Sequence, residues 1–218
     1  NRSLRISILP GKGSDIFEFL DKRTDTDLMY RDPVGLDRLQ QFIPGVPTRQ
    51  GSFWDYHVGG WYELFPNSGP ATSFHGAEIG MHGEVMFLPW EYVIESDTPE
   101  CIRVRFRVKT GRTPFLLERV LELRGNEPVL HIQEYLTNLS AAVMPYLWGH
   151  HVTLGESFLL PGCSIMLPKD TQVYSEPSYA SSATRVVPGT EGTLQCMPAQ
   201  SGGHVDVSKI PPRHLKTN

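Results

Sequence analysis

The chain is poor in cysteine, in charge of one sign and in long apolar runs, and each shortage removes a class of protein. Three cysteines stand among its 218 residues, an odd number with no Cys-x-x-Cys pair. A disulfide framework is therefore not expected, and a reducing, cytoplasmic setting is the simpler reading. The formal net charge is −4 and the basic residues are scattered. The electrostatic footprint of a nucleic-acid binder is missing, as is a polybasic patch for a membrane surface. No apolar run approaches the roughly 20 residues a helix needs to cross a bilayer. Neither nucleic acid nor membrane is expected as a partner. A Gly-x-Ser-x-Gly elbow, a His-Glu-x-x-His pair, an internal repeat and a strand–helix alternation are all lacking.

What the chain does have is turns between short β-like runs. Its 20 glycines and 18 prolines are spread along the sequence, as many short strands joined by turns require. In Cys101–Lys109, Ile102, Val104, Phe106 and Val108 alternate with Arg103, Arg105, Arg107 and Lys109. One apolar and one cationic face predict a half-buried antiparallel strand. Phe115–Arg124 and Val129–Asn138 flank Gly125-Asn126-Glu127-Pro128 and read as a hairpin, and Leu4–Leu9 with Asp15–Leu20 read as another. Tyr92–Ser96, Ala142–Thr153 and Ser157–Leu167 complete the predicted strands, and Val34–Phe42 is read as one short helix. The expected fold class is mainly β, with antiparallel sheets packed face to face. A single domain over residues 1–218 is expected, with a loop-rich segment over 175–218.

Two stretches combine aromatic, glycine and histidine residues. The first is Gly59-Gly60-Trp61-Tyr62-Glu63-Leu64-Phe65-Pro66-Asn67, followed by Met81-His82-Gly83-Glu84 and Leu88-Pro89-Trp90. The second is Trp148-Gly149-His150-His151-Val152-Thr153. Flat apolar side chains beside fixed polar groups are what a carbohydrate pocket needs. Adjacent strand residues point to opposite faces, so only one of His150 and His151 can face a given pocket. Neutral imidazoles with Glu63, Glu78 or Glu84 could in principle hold a divalent ion, but the spacing fits no metal motif. No metal and no cofactor are expected.

At these residues the chain resembles the aldose 1-epimerase (galactose mutarotase-like) superfamily, and more narrowly a mutarotase-like subgroup with a GGWxELFPN segment. The resemblance covers roughly Arg5 to Leu167. It implies an antiparallel β-supersandwich and an activity that interconverts the α and β anomers of a small-molecule sugar. Asn67 takes the place of a substrate-binding Asn, His82 that of a sugar-binding histidine, and His151 that of the catalytic histidine, with His150 one place off. The superfamily's general-base Glu falls in a second half with no counterpart before Asn218. The chain is therefore expected to be truncated on its C-terminal side.

Mutarotation takes a proton from the anomeric hydroxyl and gives one to the ring oxygen, and each positioned acid or base contributes about 10²–10⁴-fold. The resemblance implies His151 as proton donor, with His82 and Asn67 on hydroxyls. Trp61 or Trp90 would be the stacking face, and Glu63, His150 and Trp148 would lie beside the sugar. The alternative is a non-catalytic carbohydrate-binding β-sandwich, since such a fold alone does not decide chemistry.

Overall fold

Strand alternation sets the architecture. The computed structural model describes residues 1–33, 35–36, 51–177 and 184–211. The described chain divides into two units, Asn1–Phe158 and Leu159–Asn218. The division falls before Ser175, where the loop-rich composition begins.

In the first unit, β1 (Leu4–Leu9), β2 (Asp15–Asp21), β3 (Thr26–Asp27), β4 (Gly60–Leu64) and β11 (Gly149–Thr153) form one sheet. Its order is β1-β2-β4-β11, with β3 also on β2. A short helix, α1 (Gly51–Tyr56), precedes β4, and β5 (Thr72–Phe74) pairs with β6 (Ala77–Ile79). The second sheet holds β7 (Glu91–Asp97), β8 (Cys101–Lys109), β9 (Phe115–Arg124) and β10 (Leu130–Asn138), in the order β10-β9-β8-β7. All pairings within both sheets are antiparallel. The mainly-β expectation and the two expected hairpins hold.

The inward phase of β8 and β9 supplies Phe106, Val108, Phe115, Leu117 and Leu121, which pack with Ile16 of β2 and with Phe65, Val85 and Trp90. Each such side chain, fully buried, stabilises the fold by about 1.5–3 kcal/mol. The cationic phase of β8 faces outward and is neutralised: Arg103 and Arg105 pair with Glu95, and Arg103 also with Glu122. β7 is one of the two edge strands of this sheet, and Tyr92 on it is 55% exposed.

Two sequence expectations are corrected. Over Ala142–Thr153 only Gly149–Thr153 is strand. Ser157–Leu167 is turns and irregular backbone with one bridge, Ser164 to Lys209. Its apolar residues Phe158, Leu160, Ile165 and Leu167 are exposed, so apolar content there marks no buried strand. The helix expected over Val34–Phe42 lies almost wholly outside the described residues.

The second unit has two small antiparallel pairs, β12 (Val173–Tyr174) with β13 (Glu191–Gly192) and β14 (Met197–Pro198) with β15 (His204–Val205). Among the described residues no helix is long and apolar enough to cross a membrane.

Candidate functional site

β4 and β11 run antiparallel, with Tyr62 opposite His151 and Glu63 opposite His150. Because the side-chain period of a strand is two, this register sorts the two motifs onto two faces of one sheet. Tyr62 and Leu64 pack on one face with Phe53 and Met86, while Trp61 belongs to the core between the sheets.

On the Tyr62 face the histidine motifs converge. The His151 ring stacks on the Tyr62 ring, with centroids 4.8 Å apart and planes within 6°. The His82 ring lies 5.6 Å from that of His151, and His57 lies 5.4 Å from it. His57 Nδ1 and the Tyr62 hydroxyl are 2.8 Å apart. Phe53 of α1 touches this group, 4.6 Å from His82, 5.3 Å from His57 and 5.9 Å from His151.

His82 reaches the cluster through an unusual backbone. Its φ is 63° and that of Gly83 is 84°, a left-handed pair that a β-branched residue would strain. A Cβ on Gly83 would collide with the Phe65 carbonyl oxygen. The His-Gly motif is thereby laid against the end of β4, and Glu84 N–H donates to the same carbonyl at 2.9 Å. His82 Nδ1 lies 3.3 Å from the Ser68 carbonyl. A carbonyl only accepts, so this contact places the proton on Nδ1 and leaves Nε2 with a lone pair.

Burial holds both imidazoles neutral at pH 7. It pushes His151 down to about 4, helped by the neighbouring His57 and His82. It also lowers His82, against the opposing Ser68 carbonyl. Beneath Tyr62, the Lys12 ammonium lies 4.9 Å from the ring centroid and is ion-paired with the buried Asp15. Burial raises Asp15 to about 6, against the pull of Lys12 and Arg119.

The opposite face of the same strands carries a second polar group. Glu63 is fully buried; its Oε1 accepts from Arg119 Nη1 at 3.1 Å and its Oε2 from Trp148 Nε1 at 2.9 Å. His150 Nδ1 accepts from Trp61 Nε1 at 3.0 Å, and its Nε2 lies 3.2 Å from Glu134 Oε2. Glu63, Glu134 and His150 each offer an atom within 4.8 Å of the others, close enough for one metal ion. The donor set does not fit one: both oxygens of Glu63 and both nitrogens of His150 are engaged, and a guanidinium stands against the carboxylate.

The residues singled out in the sequence therefore fall into three places. His82 and His151 meet on the Tyr62 face. His150, Glu63, Trp61 and Trp148 meet on the other. Asn67 stands apart from both, and Trp90 borders the second group through Arg119. Asn67 is 5% exposed; its Nδ2 contacts the carbonyls of Gly69, Pro70 and Gly80 and its Oδ1 accepts from Gly69 N–H. Trp90 is 3% exposed, donates to the Val85 carbonyl and lies under the Arg119 guanidinium.

Phe53, His57, Lys12 and Asp15 were not picked out from the sequence, nor were Arg119 and Glu134. The last two did carry a signal. Arg119 stands in the apolar phase Phe115, Leu117, Leu121, and Glu134 in the phase Leu130, Ile132, Leu136. A charge in the inward phase of a strand needs an inward partner. No protein-family model matches the chain and no curated protein matches it, so the functional reading rests on these residues.

Proposed function

We propose that the protein binds a sugar at the face carrying His82 and His151 and interconverts its anomers, in the manner of aldose 1-epimerases, on a mutarotase-like β-supersandwich in the cytoplasm. The observation that carries this reading is the convergence of two histidine motifs 69 positions apart in sequence onto one cluster, with ring centroids 5.6 Å apart. Their backbone and stacking contacts hold both rings in fixed orientations before any ligand arrives, the kind of preorganisation that proton transfer rewards.

In this reading His82 Nε2 accepts a hydrogen bond from a sugar hydroxyl. His151 acts in its protonated form, which burial makes the minor one at pH 7. It gives that proton to the ring oxygen as the bond from C1 to the ring oxygen breaks, and a water takes the proton of the anomeric hydroxyl. Both transfers reverse when the ring recloses on the other carbonyl face. Neither step calls for a metal or cofactor.

A second reading, a non-catalytic carbohydrate-binding β-sandwich, has one specific observation in its favour. The carboxylates in and beside the motifs are already engaged. Glu63 is paired with Arg119, and Asp15 with Lys12. Glu84 accepts from the backbone N–H groups of Gly111 and Arg112 and from the Thr113 hydroxyl. The group that takes the anomeric proton is then not one of these three.

Saturation-transfer NMR between anomeric protons, over a panel of aldoses, separates the readings. Accelerated exchange that His151→Ala abolishes supports the epimerase. Sugar binding without acceleration supports the binding domain, and an equal rate in His151→Ala removes His151 from the chemistry.

A further inference from the structure

The polar group on the far side of β4 and β11 joins the two sheets. Glu63 and His150 come from one sheet, on β4 and β11; Arg119 and Glu134 come from the other, directly opposite each other on β9 and β10. The surroundings supply donors to its acceptors and an acceptor to its guanidinium. Trp148 donates to Glu63 and Trp61 to His150, while Arg119 also donates to the Ser14 hydroxyl at 2.9 Å. Beyond the group, Arg119 also acts on Asp15, which is ion-paired with Lys12.

Counting charge in this group leads to a definite proton. Two carboxylates and one guanidinium sum to −1, an expensive state to bury. One additional proton makes the group neutral. That proton has two possible seats, the His150 imidazole or the space between the carboxyls. The Trp61 N–H aimed at His150 Nδ1 fills the position an imidazolium proton would need. Glu134 Oε1, by contrast, is buried and has no donor. A carboxyl proton on Glu63 directed to Glu134 supplies that donor and satisfies both groups.

We propose that Glu63, Glu134, His150 and Arg119 form a one-proton clamp between the two sheets, closed and neutral with the proton, strained and net negative without it, and that its state is felt at His151. The transmission is short. Glu63 opposite His150 is one residue along the same strand pair from Tyr62 opposite His151. Burial raises the Glu63 pKa, with the neighbouring Glu134 carboxyl adding to it; His150 lowers that of Glu134 against the effect of burial and is itself raised by Glu134. The divergence is the one a shared proton requires. The clamp does not depend on the anomer reading and stands or falls separately.

The test follows the carboxyl carbons of Glu63 and Glu134 and the ring nitrogens of His151 by NMR against pH, in the wild type and in Glu134→Gln. The amide of Glu134→Gln donates to Glu63 permanently and replaces the proton. In the wild type, Glu63 is expected to titrate well above the ordinary carboxylate value of about 4.3, and the His151 resonances to show a second inflection at the same pH. In Glu134→Gln that inflection is lost. The proposal is overturned if both wild-type carboxyls titrate at ordinary values, a result that does not depend on the variant folding. It is equally overturned if the His151 curve is the same in both proteins.

Discussion

Tyr62 and His151 stack in parallel, 4.8 Å between centroids, across the one strand pair that also sets Glu63 against His150. Two adjacent positions on β4 and two on β11 therefore define both polar clusters of the first unit, one on each face of the sheet. Moving the register by one residue would exchange the faces and dismantle both.

The low pKa of His151 has a consequence for stability. Its folded value of about 4 lies below the unfolded value of 6.5, so the folded state binds the proton less readily than the unfolded chain. The stabilising contribution is complete above pH 6.5 and is lost as pH falls through about 4. Chemical denaturation across that range is expected to show a steeper acid limb in the wild type than in His151→Gln. Matching limbs would mean that His151 is not held neutral by its surroundings.

Phe53 packs against all three histidine rings and is itself buried. Phe53→Ala is expected to lower stability by about 3–5 kcal/mol and to raise the rate at which a histidine-modifying reagent reaches His82, which is 8% exposed in the intact protein. Phe53→Leu, which keeps most of the volume, should do so less. An unchanged His82 modification rate in Phe53→Ala would show that the phenyl ring does not cover it.

Arg119 and Glu63 are both almost fully buried. Removing the guanidinium leaves the buried carboxyls of Glu63 and Glu134 without their cation, and breaking a buried ion pair typically destabilises by about 3–5 kcal/mol. Arg119→Met is expected to fall in that range, and Arg119→Met combined with Glu63→Gln to be more stable than Arg119→Met alone. Thermal unfolding of the wild type, Arg119→Met, Glu63→Gln and the double variant gives the coupling directly. Additive losses would mean that the two groups do not depend on each other.

Much of this arrangement is legible in the sequence. The alternation in Cys101–Lys109 and the turn at Gly125–Pro128 fix the second sheet, because local pattern and tertiary burial agree there. The opposite orientation of His150 and His151 follows from strand geometry alone. The positions of Asn67 and Trp90 do not follow, because turn-rich stretches give no phase. Asn67 bonds three backbone groups of its own loop and the Gly80 carbonyl beyond β6, and Trp90 lies in the core. His57 and Phe53 join the cluster by tertiary packing of α1, which no periodicity announces. Arg119 and Glu134 were readable as charges out of phase, a weaker sign than a motif but a physical one.

The central claim is that the two histidine motifs make one sugar site on one face of the sheet. The most direct measurement is an NMR titration with each aldose of the panel, following the ring resonances of His82, His151 and His150. The expected result is that His82 and His151 shift together and saturate at one sugar concentration, while His150, on the opposite face, stays within the scatter of the baseline. Movement of His150 with His82 and His151 silent would contradict the account and place the sugar between the sheets.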